Sequence, residues 1–438
     1  MRLLERGQVL HTERTQQAVT VDNFIGDGGE GEVYECEFGG KRVAVKWYFE
    51  NVATTEKREI LHQLTHEGAP SPRFLWPQEI VLLKTAPNSF GYLMKLREKR
   101  FYSISALMDR VIDPSFESLV TAAYNTADEF SKLHSKGFCY RDISFGNIFF
   151  DPDTGEIAIC DNDNVVINNR GNVTVRGTPR FMAPEIVTGR SQPNIQTDEF
   201  SLAVLLFYLL FTHHPFQGAM DVSIHALDAP AMNFLYGENP VFIFDPADDR
   251  NRPIPGIHDN PIIFWNIYPE ILKRLFIRSF TNGIRGRRLA ATYWRSELMR
   301  TKGLIFRCQV CRSENFYDPE LAQSYDQGER LCWQCGRALE RPLVLVQGNI
   351  RLTLQPGKVV STQQFPLANI ARTLDDKKIA EVCSHPTQPG LLGLTNFSAN
   401  PWTVLFPDRD PHVLNPGQTT LIYEGVKIKS GNLEWEIS

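Results

Sequence analysis

The sequence predicts an α+β chain in three parts: an α+β unit over about 1–300, a small cysteine-bound module over 301–341, and an all-β sandwich over 342–438. Three observations predict it. Strand-like alternation with interspersed glycines gives way, after about residue 96, to longer helical and buried apolar runs. Two Cys-x-x-Cys pairs then stand 20 residues apart. The remainder reads as short strands separated by Pro, Gly and Asn turns.

The chain has 438 residues, 42% hydrophobic and 22% charged, which is ordinary globular composition and room for two or three domains. A net charge of -5 gives no reason to expect nucleic acid as a partner. The most apolar run, from Leu202 to Phe211, is roughly half the length a bilayer needs, so it reads as a buried helix. The start, Met-Arg-Leu-Leu-Glu-Arg, lacks a signal-peptide core. Four of the eight cysteines form the two pairs, and Cys36, Cys139, Cys160 and Cys383 are scattered. That usage fits a reducing cytosol, hence a cytoplasmic protein with no membrane partner.

Within the first part, residues about 19–50 read as strand, glycine loop, strand, then the strand Arg42–Trp47. Gly26, Gly28 and Gly31 would let the backbone turn closely over nucleotide phosphates, where a Cβ would collide. Ala44 and Lys46 share one strand face, with Val43 and Val45 on the other. An ammonium at Lys46 can meet phosphate oxygens if a helix carboxylate holds it straight. Glu59 is the expected partner, beside the apolar stripe Ile60, Leu61 and Leu64, with Glu56 one turn earlier as the alternative. Phe90–Leu96 reads as a strand leading into a polar crossover, where the backbone at Met94, Lys95 and Leu96 would meet an adenine.

Asp142 and Asn147 lie five positions apart in Cys139–Phe150. A phosphoryl acceptor needs an oriented hydroxyl, whose proton Asp142 would take late in transfer. Asn147 is a neutral oxygen ligand suited to a hard cation, and Asp161, after the run Ile157–Ile159, would bridge magnesium to phosphate.

This ordered set resembles the eukaryotic-like protein kinase superfamily over about residues 19–297. It runs from Gly26-x-Gly28-x-x-Gly31-x-Val33 and Ala44-Val45-Lys46 through Glu59, Arg141-Asp142, Asn147 and Asp161. It continues with Gly177–Glu185, Asp198, Arg288 and Trp294. The resemblance implies a bilobal fold, with an N-lobe at about 19–96, a C-lobe at about 97–300 and ATP in the cleft. Gly26, Gly28, Gly31, Val33, Ala44, Lys46, Met94, Lys95 and Leu96 would bind it, and Asn147 and Asp161 would hold Mg2+ or Mn2+. Asp198 would anchor the catalytic loop, Arg288 would pair with Glu185, and Thr178 would brace Asp142. Thr174 is the candidate autophosphorylation site.

Three departures stand out. Tyr140 replaces the family histidine, Ser144 replaces the lysine that faces the γ-phosphate, and Asp161-Asn162-Asp163 replaces Asp-Phe-Gly. The expected activity is transfer to Ser/Thr hydroxyls of a protein substrate. A silent pseudokinase scaffold and a small-molecule kinase are the alternatives. The stretch 219–265 resembles bacterial signalling and stress kinases found beside von Willebrand A-type and PP2C-type phosphatase proteins, which are the implied partners.

Cys308, Cys311, Cys332 and Cys335 have the spacing of a tetrahedral Zn2+ site, and the module resembles a zinc ribbon. Nothing vacates a ligand position, so the metal is expected to be structural. The intervening loop is acidic (Glu314, Asp318, Glu320, Asp326, Glu329), which disfavours nucleic acid. The last part resembles a divergent FHA domain, on Leu354-x-Pro-Gly357, Ser384-His385, Leu394-x-Asn-x-Ser398-x-Asn400 and Leu421–Ile428. FHA domains bind phosphothreonine, so a phosphoprotein partner is implied. Arg372, Ser384 and Asn400 would serve only if their loops face one way.

Overall fold

The computed structural model describes residues 2–168, 177–364, 377–388, 390–431 and 433–438. Thr174 and Arg372 lie outside the described residues. The chain separates into two compact units. One comprises 1–114, 122–262 and 276–295, and the other 115–121, 263–275 and 296–438.

The first unit begins with six strands: β1 (Val9–Thr12), β2 (Ala18–Asp27), β3 (Gly31–Phe38), β4 (Lys41–Tyr48), β5 (Glu79–Leu83) and β6 (Ala86–Lys95). They close into an antiparallel barrel in the order β1-β2-β3-β4-β6-β5, sealed by pairing of His11 with Leu82. The alternation of β4 explains its burial on both faces. Val43, Val45 and Trp47 enter the barrel core with Leu10, Val19 and Tyr34. Ala44 and Tyr48 join a second cluster with Leu61, Tyr92 and Met94. β1 lies ahead of the first strand expected from sequence and supplies the closing edge.

Helix α1 (Thr55–Glu67) starts where the Thr54 side chain accepts from the Lys57 N–H, and stops at Gly68. Its buried residues are Lys57, Leu61 and Leu64, an i, i+4, i+7 stripe. Downstream, two short antiparallel pairs frame the site: Phe138–Cys139 with Val166–Ile167, and Ile148–Phe150 with Ile157–Ile159. Beneath them runs helix Ile195–Phe211, buried at every residue from Thr197 onward. It contains the apolar run noted above. Among the described residues no helix is long and apolar enough to cross a membrane.

The second unit carries the cysteines and two antiparallel sheets. Ile305–Arg307 pairs with Glu314–Phe316, and the four cysteines sit on the turns that follow Arg307 and Leu331. Phe306, Tyr317, Tyr325 and Leu339 pack around them, with Leu304 and Val344. Trp333 is about half exposed, sets its ring edge-on to Phe116 and donates its Nε1–H to the Glu314 carbonyl. Beyond lie a six-stranded and a four-stranded sheet sharing one core, with Leu345, Leu352, Trp402 and Trp435 from the first against Val360, Val382, Leu394 and Ile422 from the second.

Candidate active site

Lys46 Nζ, on β4, lies 2.9 Å from Asp161 Oδ1, 3.1 Å from both oxygens of Asp163 and 3.0 Å from Glu30 Oε2. Lys46 and Asp163 are buried, while Asp161 and Glu30 remain partly open to solvent. Asp161 adopts the left-handed backbone region, φ 52°, and leads into the tight turn Asn162–Asn164. Asp163 also accepts from Tyr48 Oη at 2.5 Å and Tyr92 Oη at 3.2 Å.

Glu59 is not part of this cluster. It is exposed, and among the described residues the carboxylates on Lys46 are Glu30, Asp161 and Asp163. The reason is helical phase. With 57, 61 and 64 facing inward, position 59 is turned about 200° from Lys57 at roughly 100° per residue. Lys57 points in instead. Its Nζ meets Asp163 Oδ2 at 3.1 Å, Asn164 Oδ1 at 2.9 Å and both oxygens of Glu30 at 3.2 Å. Lys57 and Glu30 were missed from sequence, where Asp163 stood out only as a departure from the family glycine. The inward stripe shared by Lys57, Leu61 and Leu64 was the available signal.

Burial alone would lower the Lys46 pKa, yet Asp163, Asp161 and Glu30 together hold it above the usual lysine value. Asp163 goes the other way from its burial: Lys46 and Lys57 keep it ionised far below the usual carboxylate range. Asp161 is pushed up, by burial first and also by Asp163, against the pull of Lys46. A divalent cation at Asp161 would relieve that crowding of negative charge.

The loop that carries Asp142 and Asn147 is fixed from below. Asp198 accepts the Tyr140 N–H at 2.6 Å and the Arg141 N–H at 3.0 Å. Asp142 is half-buried, with Oδ1 taking a hydrogen bond from Thr178 Oγ1 at 2.8 Å. Asn147 Nδ2 donates to the Asp142 carbonyl at 2.7 Å and to Oδ2 at 3.3 Å, which leaves its own Oδ1 for a hard cation. Tyr140 donates its hydroxyl to the Cys160 carbonyl and packs edge-on to Phe130. Glu185 is clamped by Arg288 through two bonds of 2.7 and 2.8 Å.

Val33, Ala44, Met94 and Leu96 fall in one apolar cluster with Cys160, while Lys95 is exposed. The glycines behave unequally. Space is open where a Cβ would stand at Gly26 and Gly28. A Cβ at Gly31 would come within 2.2 Å of the Trp47 carbonyl oxygen, so that glycine serves the close approach of β3 to β4 rather than clearance for phosphates.

The protein kinase domain family matches residues 19–239, just over half of the 438-residue chain. The chain belongs to the protein kinase family. Protein kinase YegI of Escherichia coli (strain K12) is 24% identical over 312 residues, covering 68% of this chain and 46% of that protein. A probable serine/threonine-protein kinase, CCRP1 of Zea mays, is 33% identical over 229 residues, 49% of this chain and 34% of its own length. The cell cycle serine/threonine-protein kinase CDC5/MSD2 of Saccharomyces cerevisiae is 27% identical over 221 residues, 46% and 29%. The chain thus spans less than half the length of each of these relatives. Protein kinase domains use ATP and magnesium, and the donor set at Asn147 and Asp161 suits that cation.

The four cysteine sulfurs lie within 4.8 Å of one another, with Cys308 and Cys335 Sγ 3.9 Å apart and Cys311 and Cys332 Sγ 3.6 Å apart. Four thiolates around tetrahedral zinc would be separated by about 3.8 Å at ordinary Zn–S lengths. The set therefore fits a structural zinc. The phosphothreonine arrangement fares differently. Ser384 pairs with Leu392 and Ala380 with Asn396, so Ser384 and the Asn396–Asn400 turn occupy opposite ends of one hairpin, about 13 Å apart at 3.3 Å per residue.

Proposed function

We propose that the kinase domain transfers the γ-phosphoryl group of ATP to serine or threonine hydroxyls of proteins, its own included, in a bacterial signalling or stress response. One observation carries the reading: the ammonium of Lys46 and the carboxylate of Asp161 meet at 2.9 Å, as a nucleotide phosphate and its metal require. Lys46 would bind the phosphates. Asp142, oriented by Thr178 and Asn147, would align the acceptor hydroxyl and take its proton. Asn147 and Asp161 would hold magnesium, which supplies charge neutralisation of the phosphates. Val33, Ala44, Met94 and Leu96 would sandwich the adenine. The clamp of Arg288 on Glu185 supports a peptide platform rather than a small-molecule acceptor.

We assign the zinc ribbon to 301–341 and the recognition sandwich to 342–438. The separation of Ser384 from Asn400 favours protein docking over phosphothreonine binding there, with von Willebrand A-type or PP2C-type proteins as candidate partners. Cysteine usage supports a cytoplasmic setting. The test is incorporation of radiolabel from ATP with magnesium, followed by phosphopeptide mass spectrometry. Label on Ser or Thr that disappears in Asp142→Asn supports the proposal, and label retained at wild-type level in that variant defeats it. The occupation of Lys46 by three carboxylates favours the silent scaffold as second reading, which the absence of any label would establish.

A further inference from the structure

The usual way to hold the phosphate-binding lysine of a kinase is a glutamate on the helix after its strand. Here that position on the buried stripe of α1 is occupied by Lys57. The compensating charge sits on the loop, at the third residue of Asp161-Asn162-Asp163. Asp163 is fully buried and takes donors from Lys46, Lys57, Tyr48 and Tyr92. A carboxylate offers about four acceptor sites, so these four groups saturate it. A buried carboxylate without such partners would be severely destabilising, as would Lys57 facing Lys46 without an anion between them.

We infer that Asp163 is the residue that positions Lys46, and that Lys57 is its counter-ion, so that the strand-to-helix ion pair of the family is inverted into Lys46–Asp163–Lys57. The inference rests on the proposed phosphoryl transfer and specifies how its lysine is set. The consequence is a change in what arms the site. In the usual arrangement the lysine is straightened only when the helix swings its carboxylate inward. Here the straightening carboxylate is two residues from the metal ligand Asp161, on the same turn, and α1 is drawn in by a cation instead. Lys46 is thereby coupled to the Asp161 turn directly, and the missing phenylalanine at Asn162 is no longer needed to relay helix position.

The full chain is compared with Asp163→Asn, Asp163→Gly, Glu59→Gln and the double variant Lys57→Glu/Asp163→Gly, which restores the usual polarity. Calorimetry measures ATP and adenosine binding, steady-state kinetics give kcat and KM, and melting temperature reports folding. Expected are a Glu59→Gln protein within twofold of wild type throughout, and Asp163→Asn with kcat at least 100-fold lower. In Asp163→Asn, ATP should bind at least fivefold more weakly while adenosine affinity stays within twofold. The double variant should regain at least tenfold in kcat over Asp163→Gly. A loss in Glu59→Gln matching that of Asp163→Asn overturns the inference, as does unchanged ATP affinity in Asp163→Asn. If Asp163→Asn does not fold, a double variant no better than Asp163→Gly overturns it. If the wild type transfers no phosphate, the functional proposal fails, whereas the ATP and adenosine affinities still decide the role of Asp163.

Discussion

The carboxylate of Glu30 lies 3.0 Å from the ammonium of Lys46. Glu30 belongs to the turn between β2 and β3, and it also meets Lys57 at 3.2 Å. A phosphate chain approaching Lys46 must displace this contact, because both anions seek the same cation. Glu30→Gln is therefore expected to bind ATP about 3- to 10-fold more tightly, a change of about 0.7–1.4 kcal/mol. Calorimetric titration checks it, and weaker ATP binding in the variant would show that Glu30 assists the nucleotide instead of competing with it.

His134 gives the fold a pH dependence. Its Nε2 lies 3.2 Å from Asp198 and its Nδ1 3.2 Å from Glu199. Burial opposes its charge, but the two carboxylates outweigh burial and raise it to about 9. A raised value means that the imidazolium stabilises the folded state fully below about pH 6.5, and that this is lost as pH rises through about 9, at most about 3 kcal/mol. His214 works in the opposite sense. Buried and pushed down to about 3, it favours the fold above about pH 6.5 and opposes it as pH falls below. Urea midpoints should fall between pH 6.5 and 9 in wild type and much less in His134→Gln. A variant with the wild-type slope would remove His134 from the account.

Much of the kinase unit could be read from residue order because its parts are local. Alternation along β4 placed Ala44 and Lys46 opposite Val43 and Val45, and a single strand carries that information. The contacts of Asp198 and Arg288 were implied by family likeness, since they join residues 57 and 103 positions apart. Glu59 went astray on phase. A glutamate carries the charge that Lys46 calls for, but the 57-61-64 stripe turns position 59 outward, and a lysine is stable on that stripe only with Asp163 beside it. The departure at Asp163 was visible, but its partners Tyr48, Lys57 and Tyr92 lie 71 to 115 residues away. β1 escaped notice because a four-residue strand is defined by the edge it closes. The separation of Ser384 from Asn400 depends on strand register, which loop motifs do not encode.

Asn251 is fully buried and ties together the chain between Phe216 and Val241. Its Nδ2 donates to the carbonyls of Phe216 at 2.9 Å and Val241 at 2.7 Å, and its Oδ1 accepts the Met220 N–H at 3.0 Å. Asn251→Ala strands two buried carbonyls and one part-buried N–H and should cost about 2–4 kcal/mol. Asn251→Asp replaces both donors with an anion facing two carbonyls and should be worse at neutral pH. Urea unfolding measures both, and a loss below about 1 kcal/mol in Asn251→Ala would mean that water enters to replace the amide.

The cysteine cluster predicts a metal dependence confined to its own surroundings. Cys308 and Cys332 are buried, and Cys332 Sγ accepts from Asn315 Nδ2 at 3.5 Å. Cys308 Sγ also accepts from the Val310 N–H at 3.4 Å, the kind of donor that stabilises a thiolate on a cation. The aromatic packing of Phe306, Tyr317 and Tyr325 is built around these sulfurs, so it should not persist when four thiolates are left to repel one another. The purified protein should carry one zinc per chain. Removing it with a strong chelator, or replacing Cys332 with serine, should abolish amide protection across residues 304–344 in hydrogen exchange. Protection that survives in demonstrably zinc-free protein would show that Leu304, Phe306, Tyr317, Tyr325 and Leu339 form a self-sufficient core.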